Sequence, residues 1–103
     1  MNQRSFPRLH MSAETTIKTS EGVFIGTVEN ISLGGLFVRT HNRVGIGEQS
    51  EISISTPGAA TQDRIMAKGV AVRVEASGIA FKFYNIDYNT FCDLLSLLEG
   101  PSS

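Results

Sequence analysis

Apolar and polar residues alternate along most of this chain. From His10 to Thr19, Met11, Ala13, Thr15 and Ile17 fall on one face, a period of two that predicts a strand. Ser20-Glu21-Gly22 reads as a turn, and Val23 to Glu29 as a second strand closing a hairpin with the first. Leu36 to Thr40 predicts a third strand, with Leu36 and Val38 inward. After a loop from His41 to Gly47, Glu48 to Thr56 alternates again, with Ile52 and Ile54 opposite Glu51, Ser53 and Ser55. Pro57-Gly58 opens a polar loop to Asp63. Arg64 to Ala76 is the longest strand candidate, and Val70, Val72 and Val74 are expected to share a face. Ser77-Gly78 turns into Ile79 to Tyr84, where Ile79, Phe81 and Phe83 point one way. The period then changes. Asp87 is placed to cap a helix running through Glu99, Phe91, Leu94, Leu95 and Leu98 form its apolar stripe, and Gly100-Pro101 stops it. Six short strands and one amphipathic helix predict a mainly β fold. The expected architecture is a six-stranded antiparallel β-barrel whose C-terminal α-helix covers an open end or side.

Composition narrows the functional classes. The chain has 103 residues, which favours one domain: an arm at 1–9, a barrel with its helix (87–99) at 10–99, and a tail at 100–103. A net charge of −1 with 18% charged residues argues against duplex DNA or an anionic membrane as the partner. A small anionic ligand held by local arginines stays compatible. The single cysteine, Cys92, excludes an internal disulfide and is expected as a small core or interface residue. Neither a leader-like start nor an apolar run of membrane-spanning length occurs, so a soluble, cytoplasmic protein is expected. His10, His41 and Cys92 lack zinc-type spacing. The acidic residues are scattered and there is no Walker-type loop. A non-enzyme without metal or cofactor is therefore expected.

Chemistry concentrates in two places. The connection Asn30-Ile31-Ser32-Leu33-Gly34-Gly35 is longer than a two-residue hairpin loop and ends in paired glycines. Asn30 and Ser32 are turn-forming types, while Gly34 and Gly35 allow positive φ and leave no side chain to block a close ligand, so an amide, a hydroxyl and bare backbone N–H groups are expected together. Alone, such a segment is more often a wide turn. The second place is Arg4-Ser5-Phe6-Pro7-Arg8. Pro7 holds Phe6 away from the α region, so the arginines are expected on an extended arm, about 13 Å apart. Arginine makes planar, bidentate contacts to phosphate and to the O6/N7 edge of guanine. A solvated basic tail is the commoner fate of two terminal arginines.

Arg4 and Arg8 followed by Asn30, Ser32 and Gly35 resemble the RxxxR and [D/N]xSxxG motifs of the PilZ domain family. Gly78 to Phe81 is similar to that family's GxxF strand, so the resemblance spans nearly the whole chain. It implies a PilZ-type barrel that binds the second messenger cyclic di-GMP through Arg4, Arg8, Asn30, Ser32 and Gly35, and passes the signal to an unidentified downstream protein in a bacterium. It further implies auxiliary roles for Gln3, where the family sets whether one or two ligands bind, for Gly34, and for Arg73, near a guanine-stacking position. Arg73 is equally read as a solvated strand charge, and Arg39, Arg43 and Arg64 are weaker candidates of the same kind. The alternative is a small-barrel protein-interaction module without second-messenger binding. An oligonucleotide-binding barrel is disfavoured, because the phenylalanines alternate with core positions and tryptophan is absent.

Overall fold

The structure, a computed structural model, describes residues 9–55 and 64–99. Its strands are β1 (Leu9–Thr19), β2 (Gly22–Ile31), β3 (Gly35–Arg39), β4 (Gln49–Ser55), β5 (Arg64–Val74) and β6 (Gly78–Phe83), followed by α1 (Tyr88–Glu99). They form a closed antiparallel barrel in the order β1-β2-β3-β6-β5-β4. Ser20 and Glu21 make the two-residue β1–β2 turn. The Thr19 hydroxyl accepts from the Glu21 N–H at 3.1 Å, and Gly22 takes φ 147°.

The inward phase of each strand builds one core. Ile17, Val28, Val38, Ile52, Ile54 and Ile79 are fully buried in it. β-branched side chains suit this pleated, two-sided setting, and each buried isoleucine contributes about 1.5–3 kcal/mol. Thr15 is the polar member of the row, and its hydroxyl donates to the Ser53 carbonyl at 2.8 Å, so its burial leaves no group unpaired. Asp87 caps α1 as expected: its Oδ1 accepts the Thr90 N–H at 2.8 Å. Leu94 is fully buried in the barrel core, and Leu98 packs against it, which seats the helix on the barrel. Phe91 departs from the expected stripe. It is 42% exposed, because the surface covered by α1 is narrower than four side chains.

Three β-bulges reshape the regular pattern: between His10 and Ala13 in β1, Val28 and Asn30 in β2, and Ala71 and Arg73 in β5. Each adds an unpaired residue and shifts the phase of the residues beyond it. In β5 this overturns the expected valine face. Val70 and Val72 share the outward phase with Met66 and Lys68, while Val74, beyond the bulge, packs against the core. The inward row is instead Ile65, Ala67, Gly69 and Ala71. The β2 and β3 ends also move. β2 continues through Asn30 and Ile31 and β3 begins at Gly35, so the expected six-residue connection shrinks to Ser32-Leu33-Gly34. Leu9, expected in the arm, is the first residue of β1 and packs against the core. β4 starts one residue later than expected, β5 ends at Val74, two before Ala76, and β6 spans Gly78–Phe83. Pro57-Gly58, Asp63 and Gly100-Pro101 lie outside the described residues.

Candidate functional site

On the outer wall of β3, β6 and β5 the sheet carries apolar side chains where solvent-facing polar ones are expected. Phe37 pairs with Ala80 across β3 and β6, and both point away from the core, yet they are only 8% and 9% exposed. Gly78 makes room for the aromatic ring: a β-carbon there would lie 2.9 Å from Phe37 Cε2 and Cζ. This apolar floor lies in a groove of about 860 Å³, within the range of small-molecule sites. Glu29 and Asn30 from β2, Ser32, Gly34 and Gly35 at the loop, Lys82 from β6, Val72 and Arg73 from the end of β5 and Glu75 just beyond it also line the groove.

The bulges direct polar side chains into this groove. The β2 bulge falls at Glu29, and Asn30 then pairs with Phe37 on one side and with His10 on the other. The β5 bulge falls at Val72, which stays exposed, and turns Arg73 outward opposite Ala80. At the groove's end the short loop is tightly tied. Ser32 N–H donates to the Gly35 carbonyl at 2.8 Å, and the buried Ser32 hydroxyl accepts the Gly34 N–H at 3.1 Å. Phe83 N–H donates to the Gly34 carbonyl at 2.9 Å, which fastens the loop to β6.

Neither loop glycine uses positive φ; Gly22 and Gly47 are the described glycines that do. Gly35 is required for another reason. Its β-carbon would overlap the Phe81 carbonyl oxygen and lie 3.2 Å from Lys82 Cα, so β3 and β6 meet there at a distance only glycine permits.

Opposite charges face each other within and beside the groove. Arg73 Nε donates to Glu75 Oε2, and Arg39 Nη1 lies 4.0 Å from Glu29 Oε2. Lys82 is exposed beside Gly35. Of the weaker arginine candidates, Arg43 donates from Nη1 to the Glu75 carbonyl at 2.7 Å behind the groove, and Arg64 donates to the Ser53 hydroxyl at 2.7 Å on β4. Asn30, Ser32, Gly34, Gly35 and Arg73 thus come together in one groove. Gln3, Arg4 and Arg8 lie outside the described residues. The root of their arm is placed, however: Leu9 pairs with Ile31 and His10 with Asn30, so the chain enters β1 directly beside the loop.

Sequence reasoning missed Phe37, Lys82, Glu29, Val72 and Glu75. For Phe37 a signal existed: a large aromatic on the opposite phase from Leu36 and Val38 marks an outer face that is also covered. The carboxylates and Lys82 gave none, since an exposed charge on an outward phase is the ordinary case.

The family model described as PilZ domain matches residues 2–100. No curated protein matches the chain by sequence. Among solved structures the barrel is similar to MotI/DgrA, the inhibitor of motility of Bacillus subtilis, with TM-score 0.78 and 19% identity, covering 92% of this chain and 49% of that one. It is similar to the PilZ domain of CeSA from a cellulose-synthesising bacterium, with TM-score 0.74 and 14% identity over 91% of this chain and 96% of that one. It is also similar to the PilZ domain of YcgR from Escherichia coli, determined with c-di-GMP, with TM-score 0.71 and 13% identity over 91% of this chain and 87% of that one. This chain therefore spans about half the length of MotI/DgrA. At these identities the likeness is one of fold.

Proposed function

This chain belongs to the PilZ domain family, and from that premise we propose that it is a receptor for cyclic di-GMP which acts on a downstream protein rather than as an enzyme. The observation that carries the reading is the ladder joining β1 to β2. Leu9 and His10 sit opposite Ile31 and Asn30, so the arginine arm leaves the barrel at the edge of the groove that Asn30, Ser32 and Gly35 line. Arg8 is one residue from that ladder and Arg4 five, a reach of at most about 18 Å.

The ligand is a dianion with two guanine bases. The charges that line the groove balance, Glu29 and Glu75 against Arg73 and Lys82, and so offer little net attraction to a dianion. Arg4 and Arg8 supply the missing positive charge, each through bidentate contacts to phosphate or guanine worth about 1.5–3 kcal/mol. Asn30 presents a carbonyl acceptor and an amide donor to a guanine edge. The Ser32 hydroxyl orders the loop in which it is buried, and Gly34 and Gly35, whose backbone is tied within the loop and to β6, put no side chain between the loop and the ligand. Phe37, Ala80 and Val72 give a base an apolar surface to lie on, with Arg73 at its side. The arm closes over the ligand, and the altered surface is what the downstream partner reads. A cytoplasmic location follows from that role.

Calorimetric titration of the purified chain with cyclic di-GMP tests the proposal, with cyclic di-AMP and GTP as comparisons. Selective binding at micromolar concentrations, about −8 kcal/mol, is expected. Equal response to all three nucleotides, or none to cyclic di-GMP, would leave the barrel as an interaction module only.

A further inference from the structure

β3 is half the length of β2, and this leaves one edge of the barrel open. β2 has 10 residues and β3 has 5, and they pair only from Thr27 with Arg39 to Ile31 with Leu36. Gly22 to Gly26 pair with β1 alone. The alternation of an antiparallel ladder then determines which backbone groups are left over. Thr19 and Gly22 close a two-residue turn and form a hydrogen-bonded pair, as do Ile17 with Phe24 and Thr15 with Gly26. The N–H and C=O groups of Val23 and Ile25 point the other way, to where a longer β3 would lie. These two residues are 60% and 61% exposed, and no turn or loop bond among the described residues reaches their backbone.

A groove of about 230 Å³ runs between this edge and the β3–β4 loop at Asn42 to Gly45. Glu21, Glu48 and Arg43 supply its charges. Arg43 is engaged by the Glu75 carbonyl at 2.7 Å. Glu48 Oε2 accepts the Ser20 N–H at 3.2 Å and the Ser20 hydroxyl at 2.9 Å, both neutral donors. The Glu21 carboxylate has no partner among the described residues. The groove is therefore acidic on balance.

We infer that the Gly22–Gly26 edge of β2 takes up an extended segment of a partner protein by strand addition, a lysine or arginine of that segment entering the groove beside Glu21 and Glu48. Exposed edges are normally blunted by lysine, proline or a bulge within the strand. Val23-Phe24-Ile25 carries none of these and offers two β-branched side chains two residues apart, the spacing at which an added strand presents its own. A second copy of this chain is a poorer occupant. Two copies would bring like acidic grooves, each with Glu21 and Glu48, together, whereas a lysine- or arginine-bearing segment complements them. The edge lies about 13 to 27 Å along β2 from Asn30, and its groove shares no lining residue with the nucleotide groove, so the inference stands independently of the nucleotide assignment.

The test is amide hydrogen exchange on the isotopically labelled full chain, with a capped synthetic peptide Thr-Val-Thr-Lys-Val-Thr-Val as probe. In the free protein, Val23 and Ile25 amides should exchange rapidly while Phe24 is protected. At millimolar peptide the first two should slow by about tenfold or more. Glutamate in place of the peptide's lysine should weaken binding several-fold, and N-methylation of the peptide's alternate amides should abolish it. Ile25→Pro removes an outward N–H but no bond to β1, so it should abolish uptake with the melting curve kept. Should that variant unfold, Ile25→Lys, which leaves the backbone intact and places a cation on the edge, should reduce uptake in its place. Val23 and Ile25 amides already protected in the free protein would overturn the inference. So would a peptide that perturbs neither the β2 edge nor the Asn42–Gly45 loop, or that binds the lysine and glutamate forms equally.

Discussion

Gly35 sits against the Phe81 carbonyl so closely that any β-carbon would overlap it. This contact, rather than a left-handed backbone, makes glycine necessary at the end of the loop. Gly35→Ala forces β3 away from β6, and overpacking of this kind costs about 1–3 kcal/mol. The melting temperature should fall by about 4 °C or more. Cyclic di-GMP affinity should fall with it, because the same displacement moves the Ser32–Gly34 loop. Scanning calorimetry and titration on one preparation check both effects, and an unchanged melting temperature would contradict the contact.

Arg4→Ala and Arg8→Ala should separate binding from folding. Each is expected to lose about tenfold or more in cyclic di-GMP affinity, the equivalent of one charge-assisted contact. Neither should move the melting temperature by more than about 2 °C. The amides of residues 4–8 should exchange fast without ligand and slowly with it. If they are equally protected in both states, the clamp is preformed and binding is not coupled to closure.

Glu75 is a carboxylate in a groove proposed to receive a dianion, and it holds Arg73. Glu75→Gln removes the repulsion and releases the guanidinium. An exposed pair is worth about 0.2–1 kcal/mol, so affinity for cyclic di-GMP should rise by roughly two- to fivefold, with a steeper dependence on salt. Weaker binding in this variant would mean that Glu75 contacts the ligand directly.

The α1 cap predicts an acid limb. Hydrogen bonds from the Thr90 backbone N–H and then its side chain hold the Asp87 carboxyl below its ordinary value of 3.8. Because the folded value lies below the unfolded one, the stabilisation is complete above about pH 4 and is lost as pH falls through the folded value. Asparagine caps a helix without titrating. The melting temperature of the Asp87→Asn variant should therefore change less between pH 5 and about pH 2 than that of the parent. Parallel curves would remove Asp87 from the acid limb.

Period-two alternation made Ile17, Ile52, Ile54, Phe81 and the hairpin legible, because each inward phase stays unbroken for several residues. The bulges were not legible. One extra residue at Val72 reverses every side chain beyond it, and nothing in Val70-Ala71-Val72-Arg73-Val74 distinguishes a bulged strand from a regular one. The same blindness hid the extension of β2 through Asn30, since asparagine reads as a loop residue until its pairing with Phe37 is seen. The site's motif residues were readable as types, but the need for glycine at position 35 comes from the Phe81 carbonyl and not from positive φ, which the sequence could not show. Phe37 left a trace in its phase opposite Leu36 and Val38, whereas Lys82 and Glu75 became visible only once the strands were placed side by side, which no local window contains.

The pairing of Leu9 with Ile31 also sets how the arm competes with solvent anions. An arm tethered within about 18 Å of the groove acts at an effective concentration in the millimolar range. The same segment offered as a free peptide must reach that concentration to do as well. Severing the chain before Leu9 should therefore leave the barrel folded, and adding the arm back at micromolar levels should restore almost none of the binding. On the proposed function, covalent connection, more than the intrinsic attraction of two arginines, is what the β1 root would contribute.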